Sequence, residues 1–153
     1  MKKILVSACL YGHHVRYDDG DIPLGDGRFL KWKEEGRLVP ICPEVFGGLP
    51  IPRPDSQRVG DKVLTGAGID VTAEYEAGAL EAVRLAKEND VAFAIMKQDS
   101  PSCGSKYIYD GTFTDTKKEG QGRATEILRE AGFTVFDEEN LDEAEKLLLD
   151  IEK

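Results

Sequence analysis

Cysteine is scarce in this chain: three in 153 residues, Cys9, Cys42 and Cys103, with no CxxC pair among them. An odd, widely spaced set suits neither a disulfide framework nor a compact zinc or ferredoxin motif, and it fits a reducing cytoplasm. Positive charge is also in deficit. Lys and Arg number 20 against 29 Asp and Glu, a formal net charge of -9, so nucleic acid and anionic membrane surfaces are poor partners. Long apolar runs are missing as well. Ile4-Leu5-Val6 breaks at Ser7 and then His13-His14, too soon for a signal peptide or a membrane span. Repeats and low-complexity tracts are absent, and the one shift in composition is a Gly/Pro-rich stretch from Pro43 to Gly68. With 41% of its residues apolar, the chain is expected to form a single domain over residues 1–153 around one core.

Four short apolar runs are present: Lys3–Ala8, Leu38–Cys42, Val91–Lys97 and Phe133–Phe136. Unbroken runs of this kind read as parallel strands covered on both faces. Helical patterns separate them. Ala79, Ala82, Val83 and Ala86 recur on one face of Ala73–Glu88, with Thr72 as the expected cap and Asn89 at the end. Ala124, Ile127, Leu128 and Ala131 form a stripe over Arg123–Ala131. In the tail, Leu141, Ala144, Leu148 and Ile151 share a side, and Asn140 with Glu143 reads as a capping box. A shorter helix is expected over about Gly27–Glu35. Alternating strand and helix predicts an α/β fold, a mostly parallel doubly wound sheet with helices on both faces.

Cys9 and Cys42 end the first two apolar runs, and Cys103 follows the third after a short loop. In open α/β sheets ligands bind at the carboxyl ends of strands, so the three sulfurs are placed to meet there. Gly12, Pro43, Pro101 and Gly104 flank the thiols and suit loops that must hold a sulfur still. Composition alone still favours three small buried hydrophobes. Adjacent His13 and His14 would face opposite ways on a strand, which disfavours a shared metal.

The local words alter that balance. They are Ser7-Ala8-Cys9-Leu10 with Arg16-Tyr17-Asp18, Cys42-Pro43-Glu44 leading to Gly47-Gly48-Leu49-Pro50 and Pro52-Arg53-Pro54, and Ser100-Pro101-Ser102-Cys103-Gly104 with Tyr109-Asp110-Gly111-Thr112-Phe113. From about Lys3 to Phe136 the sequence resembles the DUF523 family, whose characterised type is the thiouracil desulfidase. The resemblance implies a Rossmann-like domain with a [4Fe-4S] cluster on Cys9, Cys42 and Cys103, and a fourth iron open to a substrate's sulfur. Water would then attack the polarised carbon of a thiolated nucleobase, with no net redox change. Glu44 is the implied general acid or base and Ser100 a substrate or proton contact. Ser102 is a second candidate at the substrate, or a donor to cluster sulfur. Arg16 and Arg53 are candidates for orienting substrate, though an Arg in such a loop is as often structural.

The chain departs from the family pattern at Asp55-Ser56-Gln57 after the Pro-Arg-Pro word and at Gly122-Arg123-Ala124-Thr125. Both departures bear on substrate identity. The expected partner is a small thiolated molecule, with the chain cytoplasmic and a monomer or homodimer. Sulfur transfer or removal from another thiolated metabolite is one alternative. A thiol protein that senses metal or redox state without catalysis is the other.

Overall fold

The structure, a computed structural model, describes residues 1–12 and 24–152. The central sheet is built from β1 (Ile4–Ser7), β2 (Leu38–Ile41), β5 (Phe93–Met96) and β8 (Val135–Asp137), in the order β2-β1-β5-β8. All of its pairings are parallel, with Leu5 opposite both Val39 and Ala94. The four predicted runs are thus the four strands of the central sheet. Alternate residues of each strand leave on opposite faces. Leu5, Ala94 and Met96 pack on one side against Ala79, Ala82 and Ala86 of α4 (Thr72–Glu88) and Ala124, Ile127 and Leu128 of α5 (Arg123–Glu130). Ile4, Val6, Phe93 and Ile95 pack on the other against Leu10 of α1 (Ala8–Tyr11), Phe29 and Trp32 of α2 (Gly27–Glu34), and Leu141, Ala144 and Leu148 of α6 (Leu141–Ile151). Helices therefore cover both faces, as the sequence pattern predicts.

Two caps differ from expectation because another backbone N–H takes the side chain. Thr72 is the first residue of α4, after Val71, and its hydroxyl accepts the Val63 N–H at 2.9 Å. Asn140 occupies the cap position of α6, but its Oδ1 accepts the Asp137 N–H at 2.7 Å. Asp26 does cap α2, accepting from Arg28 N at 2.9 Å and Phe29 N at 3.4 Å.

The stretch Pro43–Gly68 is more ordered than its composition suggests. It contains α3 (Pro43–Phe46) and an antiparallel hairpin of β3 (Ser56–Val59) and β4 (Lys62–Thr65). A second hairpin, β6 (Tyr107–Tyr109) with β7 (Lys117–Glu119), follows the cysteine loop. The β3–β4 hairpin carries one local signal, the two-residue Gly60-Asp61 turn between its strands, whereas Ser-Gln-Arg-Val and Lys-Lys-Glu offer no apolar alternation. Both hairpins flank the carboxyl edge of the sheet and wall in the space above it.

Candidate active site

From β1 the chain crosses to β2 on one side and later returns as β5 on the other, so the carboxyl end of β1 is the switch point where the two connections diverge. Cys9 lies on α1 just beyond β1, Cys42 between β2 and α3, and Cys103 in the loop after β5. Three adjacent strands thus deliver three thiols to one place. All three line a cavity of about 270 Å³ together with Glu44, Ser100, Arg53, Lys97, Gln57, Asp55, Tyr109 and Asp115.

Burial pushes the Cys9 thiol up to about 11, the Cys42 sulfur adding to the effect while Lys97 opposes it. Cys103, also buried, is pushed up to about 12; hydrogen bonds from Ser102 and Ser7 work against the rise, and the other two sulfurs reinforce it. Cys42 is raised as well, again chiefly by burial. The thiols therefore lie close enough to oppose each other's ionisation, and by themselves they keep their protons. Iron bound to the sulfurs reverses that preference, because thiolates, not thiols, are the ligands.

Among the described residues no three His, Cys, Asp or Glu side chains are grouped to hold a single ion. A [4Fe-4S] cluster makes a different demand, one thiolate on each of several irons, which a separated three-sulfur set around a cavity can meet. The donors present fit such a group.

Glu44 sits in the first turn of α3, two residues after Cys42, with 17% of its side chain exposed. Its Oε1 accepts the Tyr75 hydroxyl at 2.5 Å and faces Arg53 Nε at 3.5 Å, while Oε2 accepts the Ser102 hydroxyl at 3.4 Å. Tyr75 reaches it because α3 and α4 touch backbone to backbone. A Cβ on Gly78 would come within 1.8 Å of Pro43 O, and one on Gly47 within 1.9 Å of Glu74 O. Tyr75, one turn before Gly78, lies on the same face of α4. Its phenol is 1% exposed, and burial together with the Glu44 charge raises it above the ordinary phenol value, so it stays a donor.

The loop carrying Cys103 is tied from beneath. Gln98 Oε1 accepts the N–H groups of Ser105 at 3.1 Å, Lys106 at 3.0 Å and Tyr107 at 3.0 Å. Its Nε2 donates to Asp137 Oδ2 at 2.8 Å, an oxygen that also accepts the Ser105 hydroxyl. Within the loop, Ser100 Oγ accepts from Ser102 N and Cys103 N, each at 3.1 Å. Its own proton is then free to be donated, and Ser102 Oγ lies 3.1 Å away.

The structure brings Cys9, Cys42, Cys103, Glu44, Ser100 and Arg53 onto one cavity. Ser102, expected at the substrate, is fully buried behind the wall, within 3.5 Å of the Cys103 sulfur. Arg53 is 8% exposed and directed to Glu44 and to Pro50 O, the latter at 3.2 Å. Arg16, Tyr17, Asp18 and both histidines fall outside the described residues. Sequence reasoning missed Tyr75, Lys97, Gln57 and the Gln98–Asp137 pair. Of these only Gln57 carried a signal, since it belongs to the word that departs from the family pattern. Lys97 bridges to Glu138 at 2.9 Å and donates to Gln98 O at 3.0 Å, beside Cys9.

A doubly wound α/β sheet with three thiols and a carboxylate converging at its switch point defines a protein of thiolate-ligated metal chemistry. The family model described as 2-thiouracil desulfurase matches residues 4–140, and the chain belongs to that family. It is 36% identical over 150 residues to the uncharacterized protein YbbK of Bacillus subtilis (strain 168), covering 92% of this chain and 98% of that one. Among solved structures it resembles the [4Fe-4S]-dependent thiouracil desulfidase TudS, at 43% identity and a TM-score of 0.94, over 99% of each chain.

Proposed function

We propose that the protein is a [4Fe-4S]-dependent desulfidase that hydrolyses the C=S bond of a small thiolated nucleobase such as thiouracil, residues 1–153 acting as one domain. The observation that carries this reading is the convergence of three thiols from neighbouring strand ends on a cavity that also holds Glu44. The activity named for the solved relative supports it. A cluster held by Cys9, Cys42 and Cys103 supplies an iron with an open position, a Lewis acid toward a soft thiocarbonyl sulfur.

Hydrolysis forms a C–O bond from water, breaks the C–S bond and leaves both water protons on the departing sulfide. Glu44 is the base. With Oε1 held by Tyr75 and Arg53, Oε2 is the oxygen available to take a proton from water. The hydroxyls of Ser102 and Ser100 then form a path from Oε2 back to the cavity. Ser100 hands the proton over at the cavity wall, and Ser102 relays it from behind. A sensor needs no such carboxylate beside its thiols and no cavity to hold a ring.

This reading places the enzyme in the cytoplasm, as a monomer or homodimer without a nucleic-acid partner. The odd cysteine count and the net charge of -9 support it, and no described helix is long and apolar enough to cross a membrane. The test is anaerobic reconstitution with iron and sulfide, followed by 2-thiouracil or 4-thiouracil. Wild type should bind about four irons and release uracil and sulfide, whereas Cys42→Ser should lose the cluster. A protein that binds no cluster, or binds one and forms no product from any thiolated base, refutes the reading.

A further inference from the structure

Gln57, on β3, is only 4% exposed and yet forms part of the cavity wall. Its Oε1 accepts the backbone N–H of Gly111 at 2.9 Å and of Phe113 at 3.3 Å, both from the loop joining β6 to β7. Two donors on one atom decide which way the amide points, since a flip would set Nε2 against two N–H groups. The loop is pressed against β3 at this point. Gly111 has a φ of 90°, and a Cβ there would lie 2.7 Å from Arg58 O.

Nε2 is the polar atom left over. Among the described residues it has no hydrogen-bond partner, and it is not one of the unpartnered side-chain atoms sealed from solvent. Gln57 is among the residues lining the cavity, where its amide can meet a ligand. Other nitrogen donors on the same wall are engaged: Lys97 by Glu138 at 2.9 Å, Gln98 Nε2 by Asp137 at 2.8 Å, and Arg53 Nη1 by Pro50 O at 3.2 Å. The acids Glu44, Asp55 and Asp115 disfavour an anionic ligand while Lys97 and Arg53 on the same wall disfavour a cationic one, which leaves an uncharged ligand. Partial burial raises the Asp55 carboxyl, and the charges of Glu44 and Asp115 add to the rise.

We infer that Gln57 is a specificity-determining residue whose Nε2 donates a hydrogen bond to a neutral acceptor on the substrate ring. In a thiolated pyrimidine that acceptor is the carbonyl oxygen not replaced by sulfur. The inference rests on the desulfidase reading of the same cavity. It predicts selection for bases that carry an oxo group as well as a thione. A site built around a donor rejects the analogue that leaves it unpaired.

Gln57→Glu tests this with little change of shape. One carboxylate oxygen still accepts from Gly111 and Phe113, and the other replaces a donor with an acceptor. Uracil carries the oxo group, needs no iron chemistry, and can be titrated calorimetrically into the reconstituted protein and into the protein before reconstitution. Its Kd should rise about tenfold or more in the variant, the loss of one hydrogen bond to a buried site. In the reconstituted wild type, kcat/KM for 2-thiouracil should exceed that for pyrimidine-2-thione, which lacks the oxo group, by about tenfold or more. In Gln57→Glu that ratio should collapse toward one. Unchanged uracil affinity in the variant overturns the inference. So does equal wild-type kcat/KM for the two thiones, a comparison that needs no variant to fold. Failure of the desulfidase reading is seen separately, as a loaded wild type that turns over neither thione while the uracil titration still reports on Gln57.

Discussion

Replacing Tyr75 by Phe removes one oxygen and leaves the ring that fills the space between α3 and α4. No cavity term enters, so the effect reads the hydrogen bonds of the hydroxyl, the charge-assisted one to Glu44 Oε1 and a second with the Ser56 side chain. Hydrogen bonds to charged groups contribute about 1.5–3 kcal/mol. Glu44 is 17% exposed at the cavity wall and can recover some hydration, so the lower end, about 1.5 kcal/mol, is expected here. For a chain of this size that corresponds to a fall in Tm of about 3–6 °C. The same change frees Oε1 from its anchor and lets the carboxylate swing away from the water that, on the proposed mechanism, it deprotonates. A drop in kcat of about tenfold is expected, with KM little altered, because an interaction that positions the base affects the transition state and not substrate binding. Iron content should match the wild type, since no thiol is touched. Thermal unfolding, iron counting and steady-state kinetics on Tyr75→Phe decide the matter. In the Glu44→Gln background the Tyr75→Phe penalty on Tm should shrink markedly, the signature of a coupled pair. Wild-type kcat with Tm unmoved would refute the positioning argument. Loss of iron with Tm retained would show that Tyr75 supports the Cys42 turn instead of the carboxylate.

Asp137→Ala should cost about 3 kcal/mol or more by thermal or urea unfolding, because it removes the carboxylate that the buried Gln98 amide and Ser105 hydroxyl share at a position with no exposure, along with the acceptor of the Glu139 N–H. The same variant should bind iron poorly, since that pair ties down the Cys103 loop. In Gly122→Ala the new Cβ would meet Ser102 C at 2.3 Å and Cys103 N at 2.6 Å, so the backbone holding the third thiol must move. Iron bound per chain should fall while the overall helix content persists by circular dichroism. Asp26→Ala should lower stability by about 1 kcal/mol through loss of the α2 cap. The Arg28 side chain depresses the Asp26 carboxyl below its ordinary value. This contribution is therefore complete above about pH 4 and disappears as pH falls through the depressed value. Unfolding curves for the wild type and Asp26→Ala should converge in acid.

The sheet was legible because its signal is local and redundant. Ile4-Leu5-Val6 and Phe93-Ala94-Ile95-Met96 must be apolar throughout, since both faces of a parallel sheet are covered. The stripe Ala79, Ala82, Ala86 repeats at helical spacing for the same reason. Apolar alternation did not show the hairpins, and only the Gly60-Asp61 turn marked the first of them. Lys117-Lys118-Glu119 is exposed along its length and owes its strand conformation to pairing with β6, not to its own side chains. Caps failed where the side chain bonds a backbone N–H outside the helix, Val63 on β4 for Thr72 and the preceding turn at Asp137 for Asn140.

What the sequence by itself determined was the order of strands and helices, and hence that three cysteines leave three strands at the same edge. The local words around them named the family and singled out Glu44 and Ser100. Only the tertiary structure decided what surrounds those residues. Tyr75 meets Glu44 across 31 positions of chain, and Gln57 has its amide oriented by Gly111, 54 positions away. Neither residue type in its own neighbourhood implies such a partner. Their roles arise from backbone contacts between elements, the glycine crossing of α3 with α4 and the loop pressed onto β3, and long-range packing of that kind leaves no periodicity in the chain to read.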